Sequence, residues 1–173
     1  MSFKKRSVYF VAALSAVLSL AAVASAKYKA QNAEVKIHVE GPPGMSVDGA
    51  SSNLVIDETD KTITFKTFLN SMDTKNKLRN KHMFERFDGA THKDVTLTVD
   101  KDKIKKGGTI DGTLKFHGVS RPVKVHYAVK DKEVSANFEF LVTNHGVKED
   151  AICYLKVCVN PKVAVTAKFD LAE

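Results

Sequence analysis

The chain has 173 residues, two cysteines and a formal charge of +7, three of those positive charges lying within the first six residues. Discounting them leaves +4, spread among acids rather than blocked, which argues against an electrostatic nucleic-acid binder. The length suits one domain able to bury about two thirds of its unfolded surface.

Residues 1–26 read as a cleavable signal peptide. Lys4, Lys5 and Arg6 form a basic start, an apolar run extends from Val8 to about Val23, and Ala24-Ser25-Ala26 supplies the small-x-small cleavage pattern. The apolar run is too short and too rich in Ala and Ser for a comfortable membrane span, and no Cys follows it as a lipoprotein anchor requires. Export with cleavage before Lys27 is therefore expected. The product, residues 27–173, is expected to be one domain with no transmembrane anchor.

From there the dominant signal is period-two alternation, which belongs to strands half-buried on one face. Val35, Ile37 and Val39 alternate with Lys36 and His38, until Gly41-Pro42-Pro43-Gly44 stops the run. A short strand follows around Met45 to Gly49, then Leu54–Asp57, Thr62–Phe68 and Asp94–Asp100. Ile110, Gly112, Leu114 and Phe116 give the dry face of the next strand, with His117 on its polar face. Val123, Val125, Tyr127 and Val129 continue the pattern. So do Val134 to Val142 and Val163 to Leu171, read at alternate positions. Turn chemistry separates these runs at Asp57 to Asp60, at Lys106-Gly107-Gly108 and at Asp131-Lys132. The fold class is all-β, about eight strands with short antiparallel connections. A sandwich and a barrel both satisfy this pattern.

Residues 70–93 break the alternation. Thr74 is placed to cap a short helix running to about His82 or Phe84. Met72, Leu78, Met83, Phe84 and Phe87 can fold over one end of the sheet. Within this helix Arg79 and His82 are three residues apart and share a face, as a grip on an anionic or polar head group requires. Structural partners for the same two side chains are the competing reading.

No other constellation converges on chemistry. Ser120 has no nucleophile elbow around it. The six histidines lack metal-ligand spacing and read as scattered, solvated side chains, His145 sitting in an Asn-His-Gly turn. No haem-attachment motif is present. The chain is read as a non-enzyme with no cofactor and no metal. Cys153 and Cys158 would lie about 16 Å apart on a straight strand. A disulfide tolerates less than about 7 Å. Either the segment turns or the thiols stay free; an exported chain with an even cysteine count favours the local disulfide.

Two motifs in register carry a family resemblance. Met72-Asp73-Thr74 followed by KNKLRNKHM, with Arg79 and His82, resembles the S-x-x-T…R-D-x-H-L signature of the YceI-like family. DGTLKFHGVSRPVKVHY resembles that family's G-x-L-T-I-x-G-V-T-x-P-V hairpin through Gly118, Val119, Pro122 and Val123. The likeness extends from about Val35 to Leu171, with Asn80 in place of the usual Asp, Met83 in place of Leu and Ser120 in place of Thr. The Cys pair is no part of the signature.

The resemblance implies a lipocalin-like antiparallel barrel, exported to the bacterial periplasm, whose apolar interior binds an amphiphilic lipid of polyisoprenoid or quinone type. If the dry faces turn inward, Ile63, Phe65, Leu97, Leu114, Phe116, Val125, Tyr127, Phe138, Phe140 and Val165 line that interior. Arg79 and His82 then lie near its mouth. An apolar tail would gain about 25 cal/mol for each Å² buried there. The alternative is a barrel filled by its own side chains that acts through its surface. A lipid partner, no nucleic acid, and room for a homodimer complete the expectation.

Overall fold

The computed structural model describes residues 28–154 and 157–172. The expected signal peptide and its cleavage point lie outside the described residues. No helix among the described residues is long and apolar enough to cross a membrane.

The chain is all-β with one α-helix. Nine antiparallel strands form one curled sheet: β1 (Lys29–Glu40), β2 (Ser46–Ser51), β3 (Val55–Glu58), β4 (Thr62–Phe68), β5 (Asp94–Asp100), β6 (Gly107–Phe116), β7 (Val119–Lys130), β8 (Glu133–Leu141) and β11 (Lys162–Ala172). The two-residue strands β9 (Cys153–Tyr154) and β10 (Val157–Cys158) make a separate small hairpin. The sheet order is β2-β1-β11-β8-β7-β6-β5-β4-β3. Its two edges, β2 and β3, are consecutive in the chain and joined by Ser52-Asn53-Leu54. One stretch of chain thus pairs with β1 through its first part and with β4 through its second.

Side-chain bonds hold this seam where ladder bonds cannot. Ser51 and Ser71 share a hydroxyl–hydroxyl bond of 2.7 Å, and the Thr67 hydroxyl donates to the Asn53 carbonyl at 2.8 Å.

Alternation translates directly into burial. In β6, Ile110, Gly112, Leu114 and Phe116 are buried and their neighbours exposed. The hairpin after β6 turns on His117 and Gly118, with φ values of 50° and 75°. Two positive φ angles match the right-handed strand twist at a two-residue turn. His117 therefore sits in the turn rather than on the polar face of the strand. A Cβ at Gly118 would meet the His92 ring at 2.7 Å, so this glycine is required twice over. Gly107 and Gly108, expected in a turn, instead open β6, because Gly107 pairs with Ala128 and Gly108 with Tyr127.

The apolar side chains form two clusters along the length of the sheet. Leu69, Met72, Leu114, Phe116, Val142 and Val165 lie toward one end. Ile56, Ile63, Val99, Val125 and Phe169 lie toward the other. Leu114 is 1% exposed. Leu114→Ala should therefore cost about 2–5 kcal/mol in urea unfolding at unchanged m-value. A loss below about 0.5 kcal/mol would show that the site is not packed as described.

Candidate functional site

The helix of the long connection, α1, spans Lys77–Arg86. Its N-cap is Asn76, whose side chain accepts from the Arg79 backbone N–H at 3.1 Å; Thr74, expected as the cap, has a different task. The Thr74 hydroxyl and backbone N–H both donate to Asn80 Oδ1, at 2.6 and 2.8 Å, and Thr74 is buried. Asn80 in turn donates from Nδ2 to Asp73 at 2.9 Å. An amide supplies the acceptor that a carboxylate would, plus a donor. That donor, with the Lys75 backbone N–H, holds the Asp73 carboxyl below its usual range. Asp73 exchanges two backbone bonds with Ala50, tying the connection to β2. The cap lies two residues beyond Thr74 because Thr74 is committed to this network.

Anchored there, α1 lies across one end of the curled sheet. Phe87 meets Phe116 edge-on at 5.2 Å between ring centroids. Arg86 Nη1 donates to the Cys153 carbonyl, linking the helix to the β9–β10 hairpin. That hairpin sets Cys153 opposite Cys158, joined by a disulfide with Cα atoms 3.9 Å apart. That separation lies within the distance a disulfide requires.

Inside the curl is a cavity of about 990 Å³. Sites for small molecules run from about 300 to 1,000 Å³, so this lies at the top of the range. All twelve side chains expected to face a ligand line it: the ten apolar and aromatic strand residues from Ile63 to Val165, with Arg79 and His82. Small residues help explain why space remains. Ala136 and Ala167 lie opposite each other in the β8–β11 register, and both face the cavity. Aromatic rings bound the lumen, with Phe138 and Phe140 6.3 Å apart and Phe65 and Phe169 5.7 Å apart.

Polar lining is confined mainly to the two ends. At the helical end α1 contributes Leu78, Arg79, His82, Met83 and Arg86 from one helical face, and its C-cap Phe87 joins them. Arg86 was not singled out in the sequence, although its spacing from Arg79 and His82 puts it on their face. Leu78, expected to fold over the sheet, is instead 60% exposed. At the far end lie Tyr28, Lys101, Ile104 and Lys105. There the Tyr127 hydroxyl accepts from the Lys105 N–H at 2.7 Å, and Lys101 pairs with Glu58.

His145 departs from the solvated histidines expected. It is 1% exposed, between the rings of Phe116 and Phe140, and its Nδ1 bonds the Val119 carbonyl at 2.8 Å. The signal for it was the strand-end turn Asn144-His145-Gly146, which reads as exposed until β7 and β8 pack around it. Burial pushes its pKa below the ordinary 6.5, aided by the Arg121 charge and opposed by the Val119 bond. Among the described residues no group of three or more His, Cys, Asp or Glu is arranged to hold a metal.

A family model described as a YceI-like domain matches residues 19–171. No curated protein matches the sequence. Among solved structures, a polyisoprenoid binding domain from Saccharophagus degradans, described as implicated in plant cell wall breakdown, superposes with a TM-score of 0.64 at 16% identity. The match covers 83% of this chain and 97% of that one. BcnA from Burkholderia cenocepacia superposes with a TM-score of 0.61 at 13% identity, covering 82% and 96%. At such identities the likeness is one of fold.

The unfolded chain protonates His145 near pH 6.5 while the folded chain resists it, so the unfolded state binds more protons below that pH. The contribution of His145 to stability is complete above pH 6.5 and declines as the pH falls toward its lowered folded value, by at most about 1.4 kcal/mol per unit. In urea unfolding between about pH 7 and pH 5, His145→Gln should show a shallower decline than the parent. Equal declines would contradict the assignment.

Proposed function

The chain belongs to the YceI-like family, and from that premise we propose that it is a periplasmic binding protein that carries an amphiphilic lipid of polyisoprenoid or quinone type inside the curled sheet. The observation that carries this reading is the cavity of about 990 Å³ walled by apolar and aromatic side chains. A lumen filled by its own side chains, as in a purely structural barrel, would not have that volume. The superposed Saccharophagus degradans domain, named for polyisoprenoid binding, supports the choice of cargo.

The tail lies among the inward faces of the strands, Leu114, Phe116, Phe138 and Val165 among them. Each buried CH₂ contributes about 0.8 kcal/mol, so a chain of several isoprene units outweighs the cost of ordering it. Arg79 and His82, with Arg86, lie at the helical end, where they meet a polar or anionic head group. Arginine presents a planar fork of donors suited to a carboxylate or phosphate. The task is binding and release rather than bond-making, and it calls for no metal or cofactor. Export follows from the signal-like residues 1–26 and accords with the Cys153–Cys158 disulfide, which an oxidising compartment maintains.

Native mass spectrometry of protein purified from a bacterial host should show a bound lipid, and the emptied protein should take up a fluorescent prenyl probe. Ala167→Phe places a ring in the lumen and should weaken uptake at least ten-fold while leaving the fold intact by circular dichroism. Absence of co-purified lipid together with absence of probe uptake would overturn the proposal.

A further inference from the structure

The cavity opens beside two of the most exposed large apolar side chains of the described residues. Met45 is 62% exposed and Leu78 is 60% exposed, and both also line the cavity. Met45 sits in the turn between β1 and β2 and Leu78 on the first turn of α1. The two elements are neighbours, since Arg79 on α1 lines an outer groove together with Ser46 and Asp48 of β2. An apolar side chain left in water at the lip of an apolar cavity forgoes burial that the fold had room to supply, and such patches mark interaction sites.

The charge on the helical side of this lip is predominantly basic. Lys75, Lys77, Arg79 and Lys81 come from α1 and the residues before it. Lys81 is opposed by Glu85 at 3.8 Å, whereas Lys75, Lys77 and Arg79 form no ion pair among the described residues. Two acids temper it and are themselves engaged: Asp48 pairs with His38 at 2.7 Å and feels the Arg79 charge, and Asp73 accepts from Asn80 and the Lys75 N–H and feels the Lys75 charge. The first turn of α1 contains no acid. Exposed apolar knobs beside a predominantly basic helix match the interface of an anionic bilayer, where chains accept the knobs and head groups the charges.

We propose that the lip of the cavity formed by Met45 and Leu78, with Lys75, Lys77 and Arg79 around it, docks on an anionic lipid bilayer and is the face through which cargo enters and leaves. The inference rests on the lipid-cargo reading. Docking there lets a lipid pass from bilayer to lumen without its tail crossing water. One helical face serves both ends of the transfer, Arg79 holding a head group while Leu78 touches the membrane.

The test is flotation of the protein, purified from its bacterial host, with vesicles of phosphatidylglycerol and phosphatidylethanolamine, against vesicles of phosphatidylcholine alone. The parent should float with the anionic vesicles, release at high salt, and bind phosphatidylcholine weakly. Lys75→Gln/Lys77→Gln, at positions outside the lumen, should bind about five-fold more weakly for each charge removed. It should still take up a prenyl probe dispersed in solution at the parent's level. Leu78→Ser should also weaken flotation, while retaining the parent's salt dependence. Equal binding to both vesicle types, or lysine variants that float like the parent, would overturn the docking face. A protein that fails to float but is retained on an acidic protein column would assign the rim to a protein partner and would also overturn it. Loss of probe uptake from solution by the parent itself would instead strike the cargo reading, so the two failures are separable.

Discussion

The structure depends on one geometric constraint: a pleated sheet sends alternate side chains to opposite faces, and a nine-stranded sheet that curls must do something with the inward set. In small barrels the inward side chains fill the middle. Here the inward positions include Gly112, Ala136 and Ala167 among larger neighbours, and the middle stays open. At Gly112 even a Cβ would come within 2.9 Å of Leu97, so the wall is tightly packed within itself while the lumen is not filled. Close packing of the wall and space within it come from the same choice of residue sizes.

The remaining features answer problems the curl creates. The seam between β2 and β3 lacks ladder bonds, and the chain crosses it covalently with hydroxyl bonds from Ser51 and Thr67. The open helical end is partly covered by α1, a helix with no fully buried residue of its own. Such a helix needs fixing from outside. Asn80, Thr74 and Asp73 fasten its N-terminal side to β2, and Arg86 fastens its C-terminal side to the disulfide hairpin. The cover is thus held at its two ends by polar contacts, with apolar residues beneath it.

Much of this was legible in the sequence because alternation is a local signal. Thr62–Phe68 and Asp94–Asp100 coincide with β4 and β5 residue for residue. The inward faces follow from the same alternation, which is why the expected lining residues meet around one cavity. What was hidden depends on contacts between distant segments. The true cap, Asn76, was masked by Thr74, whose hydroxyl is occupied by Asn80 six residues on. His145 reads as a solvated turn residue, and only the packing of β7 and β8 buries it. Local pattern could not tell Leu78, which stays in water, from Met72, which is buried, because burial of that connection is decided by where the helix lands.

The central claim is that the lumen is apolar, water-excluding and available to a tail. The most direct measurement is the heat-capacity change on binding prenyl alcohols of increasing length, by calorimetry at several temperatures. Burial of apolar surface gives a negative change that grows with the area buried. The account predicts a negative value that increases in magnitude from geranyl to farnesyl to geranylgeranyl. A value near zero, or one that does not change with chain length, would contradict it.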